Sequence, residues 1–177
     1  MPKFPTEGSI VARHIEGKKR FRYIIKIFNR IVSFLYRTKI LPLLGIGKII
    51  LIIETIGRKT MKKRYNPVLY YRYYTGIITV YSTRGKRANW IKNILAAPEG
   101  IFVVHQGFKT YKAKMIFVED PEEKYKHLRF FCENYKSAKL AFGYNKKHKK
   151  ILDTDEFKEF AEKGIEFVQI IPIDNST

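Results

Sequence analysis

Three features of the sequence predict a mainly β protein with peripheral helices, built on a small curled antiparallel sheet or barrel of about six strands. Short β-branched and aromatic runs recur through the middle of the chain. Tight glycine-bearing turns join them, which favours hairpins over crossover units. Amphipathic or well-capped stretches lie before, between and after these runs. At 177 residues the chain is long enough to bury a core without covalent staples.

Met1 to Gly17 is polar, holds Pro2, Pro5 and two glycines, and predicts a loosely packed lead-in. From Lys18 to Lys39, Phe21, Ile24, Ile25, Phe28, Ile31, Val32, Leu35 and Tyr36 recur at the spacing of one helix face. Lys18, Lys19, Arg20, Arg22, Lys26, Arg30 and Arg37 interleave with them. Such a helix either packs on the domain through its apolar face or lies on an anionic membrane surface, with nucleic-acid contact as a third reading. Residues 1–40 are therefore an N-terminal arm with a basic amphipathic helix, and residues 41–177 a single domain. The apolar run Ile40 to Ile56 is broken by Pro42, Gly45, Gly47, Lys48 and Glu54, and is short beside the roughly 20 residues of a membrane span.

Ile49 to Ile56 reads as a buried strand and Gly57 to Lys63 as a turn. Tyr65 to Tyr74 and Ile77 to Ser82 form a hairpin around Thr75-Gly76. Arg87 to Ala97 carries Trp90, Ile91, Ile94 and Leu95 at helical spacing and stops at Pro98. Ile101 to His105 and Lys109 to Val118 are strands around Gln106-Gly107. Pro121 opens a helix to about Tyr135, since proline's fixed φ suits a first helical turn. Ser137 to Lys150 is ambiguous and very basic near its end. Asp153 or Thr154 caps a helix to about Lys163, and Glu166 to Ile173 is the last strand.

The formal charge of +19 is unevenly placed. Residues 57–92 hold ten Lys or Arg and no Asp or Glu, and residues 1–48 hold eleven basic against two acidic side chains. From Asn93 onward the charges nearly cancel. Segregation of this kind points to anionic partners. The single cysteine, Cys132, excludes an internal disulfide and fits a reducing, cytoplasmic setting; no secretory signal is visible.

His14, His105, His127 and His148 are isolated, and neither zinc-ligand spacing nor a dinucleotide, Walker or serine-hydrolase motif is present. No metal site is expected. The acid pairs Glu122-Glu123 and Asp153-Asp155 sit where helix starts explain them. If the chain is an enzyme, an organic cofactor carries the chemistry.

Two turns could hold one. Arg58, Lys59, Lys62, Lys63 and Arg64 cluster at the first, where guanidinium forks suit a phosphate, although a solvated hairpin tip would look the same. Gly57 either helps that site or serves only the turn's backbone. The second turn sets Ser82, Thr83, Arg84, Gly85, Lys86 and Arg87 between a strand and a helix, a place with free backbone N–H groups. Trp90, one turn further on, either packs on a planar ring or anchors the core.

Thr55-Ile56-Gly57-Arg58-Lys59-Thr60, then Arg64 and Pro67, Ser82 after a strand, Asn89-Trp90 and Asn93-Ile94-Leu95-Ala96-Ala97-Pro98 together resemble the deazaflavin-dependent nitroreductase family. This is a branch of the split-β-barrel flavin and deazaflavin oxidoreductases. The resemblance runs from about Ile50 to Val118 and more weakly to Ile173. It implies an FMN-binding-like split barrel of α+β class and the cofactor F420, an 8-hydroxy-5-deazaflavin with a phosphate and an oligoglutamate tail. It implies hydride transfer between that cofactor and an electron-poor small molecule, of nitroreductase or quinone-reductase type. By resemblance Gly57, Arg58, Lys59, Thr60 and Arg64 bind the phosphate and tail. Ser82, Thr83, Arg84, Gly85 and Trp90 border the ring, while Ser82, Tyr135 and Tyr144 are candidates near substrate. The chain departs from the family pattern in a second loop about two residues shorter, without its Gly-Gly-Ala-Pro run, and in Met61 where a glycine is usual. The readings kept beside this one are an FMN-binding split barrel, and a non-enzymatic basic protein binding anionic membrane or nucleic acid. A homodimer is also compatible with the resemblance.

Overall fold

Six strands close into one antiparallel barrel in the computed structural model, which describes residues 4–6, 9–15, 19–97 and 99–173. Expectations that fall on residues 1–3, 7–8, 16–18 and 174–177, on Pro98, or on the side chains of residues 13–15, 19–22, 146 and 148 lie outside the described residues. The strands are β1 (Ile50–Ile56), β2 (Lys63–Arg72), β3 (Ile78–Ser82), β4 (Ile101–Gln106), β5 (Lys109–Phe117) and β6 (Glu166–Pro172). Each lies within two residues of its predicted bounds. Around the barrel they run β1-β2-β3-β6-β5-β4, every neighbour antiparallel. The closed antiparallel barrel with peripheral helices, of α+β class, is the fold the sequence predicts, although helical residues outnumber strand residues.

Side-chain alternation divides the interior in two. Leu51, Ile53, Val80, Val104 and Val168 meet inside the barrel. Their neighbours of opposite parity, Tyr71, Tyr81 and Phe167, point outward into an aromatic layer roofed by helices. Those helices are α1 (Ile10–Ile15), α5 (Pro121–Asn134), α6 (Ser137–Phe142) and α7 (Asp155–Glu159). α5 begins where Asp120 accepts hydrogen bonds from the N–H groups of Glu122 and Glu123, with Pro121 in the first turn. Thr154 rather than Asp153 caps α7, accepting from Phe157 N–H at 3.3 Å, while Asp153 pairs with Arg129 at 2.7 Å. A buried ion pair, Lys124–Glu166 at 3.3 Å, fastens α5 to β6. The ambiguous stretch resolves into α6 and a 3-10 segment, Lys146–Asp153.

Two expectations fail. The supposedly loose lead-in places Phe4 and Val11 in the aromatic layer, where Phe4 lies 4.8 Å from Phe157 and 5.4 Å from Phe160 between ring centroids. Single apolar residues in a polar segment carry no periodicity, so this docking has no signature in sequence.

The second concerns α2 (Lys19–Arg37), which packs through only one edge of its predicted apolar face, where Val32 and Tyr36 are buried and Ile25 and Leu35 half-buried. Of its described side chains only Val32, Ser33 and Tyr36 are buried, while Ile24, Phe28 and Ile31 are 52%, 56% and 52% exposed. The helix is attached by polar groups of its last turns. Tyr36 Oη donates to Ile50 O at 3.0 Å and accepts from Gly107 N–H, Ser33 Oγ donates to Tyr65 O, and Arg37 lies over the Tyr65 ring at 4.1 Å. Tyr36 lies at one edge of the predicted face and Ser33 beyond it, so the helix is rotated about its axis and the opposite edge, with Ile24, Phe28 and Ile31, is left in solvent. After α2 come α3 (Ile40–Leu43) and a 3-10 turn, whose Gly47 abuts Gly107 so closely that a Cβ there would stand 2.7 Å from the Gly107 Cα. No helix of the described residues is long and apolar enough to cross a membrane.

Candidate cofactor site

The first basic turn leaves β1 at Ile56 and enters β2 at Lys63. Gly57 N–H donates to Lys62 O at 2.9 Å, and Gly57 O accepts from both Thr60 and Met61 N–H. A Cβ on Gly57 would lie 2.9 Å from Thr60 Oγ1 and 3.3 Å from Arg64 Nε, so a larger residue here would press on the Thr60 and Arg64 side chains. Met61 holds φ 52°, the left-handed region. With the backbone folded this way, residues 58–64 are all exposed.

Their cations are not equivalent. Lys63 pairs with Glu54 at 3.5 Å, and Glu54 also meets His105 Nε2 at 2.7 Å. The guanidiniums of Arg58 and Arg64 are instead held by neutral oxygens. Arg64 Nη2 donates to Thr60 Oγ1 at 3.1 Å, and Arg58 Nη1 to Asn93 Oδ1 at 3.3 Å. Among the described residues none of Arg58, Lys59, Lys62 or Arg64 enters an ion pair. Oriented cations without counter-carboxylates form a donor set matched to a polyanion.

Asn93 joins this turn to the second one. It sits buried on α4 (Asn89–Leu95), accepts from the Arg58 backbone N–H as well as its side chain, and donates to Thr55 Oγ1 at 3.2 Å. Asn66 donates to the same Thr55 oxygen at 3.1 Å and to Ile53 O at 3.0 Å. A strand end, a basic turn and a helix are thereby locked together. Sequence reasoning did not assign roles to Asn93, Thr55 or Asn66. The available signal was polarity out of place: Thr55 continues the inward parity of Leu51 and Ile53, and Asn93 sits between Ile91 and Ile94.

The second turn is more closed than predicted. Ser82 is buried, its Oγ donating to Gly85 O at 3.0 Å and accepting from Arg84 N–H at 3.4 Å. Gly85 takes φ 53° and faces Gly164 O, 3.6 Å from where its Cβ would be. Gly85–Arg87 forms a 3-10 turn and Ala88 is extended, so α4 starts at Asn89 and not at Arg87. Thr83 and Arg84 are half-buried; Lys86 and Arg87 are exposed. Trp90 is half-buried against the barrel-interior cluster that Ile91 and Ile94 of α4 enter.

Tyr135 and Tyr144 lie elsewhere, in the aromatic layer. Tyr135 Oη bridges the backbone of Arg72, accepting its N–H and donating to its O, both at 3.1 Å, and its ring stacks on Phe131. Tyr144 is buried, its hydroxyl has no hydrogen-bond partner among the described residues, and burial raises its pKa. The structure thus brings together Gly57, Arg58, Thr60 and Arg64, with Lys59 on the same turn, and ties them through Asn93 to the helix carrying Trp90.

The donor set fits F420, whose phosphate and glutamate tail need several cations and no opposing carboxylate. Among solved structures, an F420-H2 dependent reductase is 20% identical over 70% of this chain and 94% of its own, with a TM-score of 0.44. A conserved hypothetical protein from Mycobacterium tuberculosis is 14% identical over 74% and 80%, TM-score 0.48. The General Stress Protein 26 from Bacillus anthracis is 14% identical over 70% and 79%, TM-score 0.43. No curated protein matches. The model of the F420H(2)-dependent quinone reductase family matches residues 37–142, which contain both basic turns and α4. With that match across most of the barrel, the chain belongs to the F420H(2)-dependent quinone reductase family and is an F420-dependent oxidoreductase.

Proposed function

We propose that the chain reduces quinone-type or similarly electron-poor small molecules with F420 held between its two basic turns. The observation that carries the proposal is the Asn93 bridge, which accepts from Arg58 twice and so fixes an uncompensated guanidinium beside the helix that bears Trp90. Arg58, Lys59 and Arg64 hold the phosphate and glutamate tail. The Ser82–Gly85 turn and the Trp90 ring border the planar head. Bound in its reduced form, F420 supplies a hydride. The residues of the chain bind, orient and exclude water, and a pre-set frame of this kind lowers the barrier by positioning. The same proposal includes a cytoplasmic setting, a homodimer, and peripheral membrane contact through residues 18–39.

Titration of the purified protein with F420, read by fluorescence quenching, tests the reading. Micromolar or tighter binding is expected. Arg58→Gln should weaken it by about tenfold or more, the scale of one lost charge-assisted bond. Asn93→Ala, which removes no charge, should also weaken it by releasing Arg58. Absence of any spectral change at micromolar protein, or a yellow protein carrying tightly bound FMN, would sink the proposal.

A further inference from the structure

We propose that the outward face of α2, continued by α3 and the β4–β5 tip, docks on an anionic lipid bilayer. This gives the membrane contact proposed for residues 18–39 a defined face; it rests on that reading and is independent of the cofactor.

The face is apolar and unusually bare. Ile24, Ile27, Phe28, Ile31 and Phe34 fall on one side of α2 at 100° per residue, and all are 43–63% exposed. Beyond the C-terminal end of the helix, Ile40 and Leu43 of α3 and Leu44 just after it are 46%, 78% and 69% exposed. Lys39 Nζ reaches Phe108 O at 3.5 Å, which brings the β4–β5 tip and its 63% exposed Phe108 to the same end. A helix of 19 residues is about 28 Å long, so the stripe is a line rather than a spot. Exposed apolar surface of this extent marks a contact surface.

Charge selects the occupant. Lys26, Arg30 and Arg37 form a row beside the apolar stripe, at spacings of four and seven residues, and are exposed. From Lys19 to Ile53 there is no Asp or Glu. A second copy of the chain laid on this face would oppose one basic row to another, and like charges repel at an interface. An anionic bilayer reverses the sign: its headgroups take the row while the apolar stripe enters the headgroup–acyl boundary. The anchoring of α2 through Tyr36 and Ser33 leaves that stripe turned outward, so the barrel need not rearrange to present it.

The test is co-sedimentation of the full chain with vesicles of phosphatidylcholine, with and without phosphatidylglycerol, across a salt series. Partitioning should be about tenfold or more stronger on the anionic vesicles and should fall with salt. F28D/I31D should lower binding at low salt by about tenfold or more, and K26E/R30E should remove the preference for anionic lipid. Each variant should bind F420 in vesicle-free buffer as the parent does, which shows that the barrel is intact and separates a failure here from a failure of the cofactor reading. Equal binding to both vesicle types, retention by F28D/I31D, or no vesicle binding at any salt overturns the proposal. Sedimentation velocity distinguishes the other occupant: a dimer of the parent chain that F28D abolishes assigns the face to a second copy, and also overturns it.

Discussion

Met61 holds a backbone conformation that a glycine holds with less strain. Its φ of 52° costs a side-chain-bearing residue roughly 1–2 kcal/mol, and its side chain is 76% exposed, so little packing offsets the cost. A glycine would remove that strain and add chain entropy to the unfolded state, roughly 0.5–1 kcal/mol in the opposite direction. Met61→Gly is therefore expected to be neutral or to stabilise by up to about 1 kcal/mol. Urea unfolding checks this, and a clear loss of stability would mean that the Met61 side chain holds a contact of its own. The departure from the family's glycine was plain in the sequence. That the turn keeps its geometry with methionine is a property of the Gly57–Lys62 hydrogen bonds and needed the structure. The same limit applies to Asn93, whose type is legible and whose three hydrogen bonds, to Arg58 twice and to Thr55, are not.

Between β2 and α5, the roof of the barrel rests on an imidazole. Tyr71 Oη and His127 Nδ1 lie 2.7 Å apart, and the ring stacks on Tyr73 at 3.9 Å and Phe167 at 5.5 Å. Burial pushes the His127 pKa down to about 4, with Glu123 opposing weakly, so the native imidazole is neutral and shares a hydrogen bond with the Tyr71 hydroxyl. The folded value is below the unfolded one, and between them the unfolded chain binds more protons. The contribution is thus complete above about pH 6.5 and is lost as the pH falls toward 4, on the order of 2–3 kcal/mol in all. His127→Gln should be less stable near neutral pH and show a flatter decline across that window, measured by thermal unfolding at a series of pH values. A parallel decline in both proteins would remove His127 from the explanation. At this scale the strands were the most legible part of the chain, because alternation and turn glycines specify them locally. The direction α2 faces was illegible, since periodicity reports where apolar residues lie and not whether anything covers them.

Across the whole molecule the excess charge of +19 gathers in two regions for which separate roles are proposed, the basic turns and the N-terminal segment that carries α2. Cofactor association should accordingly be steered by the first and should slow with salt; raising ionic strength from about 0.01 to 0.15 M shortens the screening length from about 30 to 8 Å. Stopped-flow quenching of F420 fluorescence is expected to show an association rate falling several-fold over that range while dissociation changes little. A rate indifferent to salt would argue against the basic turns as the approach path. The barrel itself could be inferred from strand number and hairpin order, but its closure could not, because it depends on pairings far apart in the chain. β6 lies between β3 and β5, and its partners in β3 are 84 to 92 residues away, Ser82 with Glu166 and Ile78 with Ile170. During synthesis β3 and β5 therefore leave the ribosome long before the strand that separates them, and each carries an unpaired edge until Glu166–Pro172 arrives. The nascent chain must pass through an interval in which two sticky strand edges wait for the same late segment, and its yield in the cell depends on how well that interval is shielded.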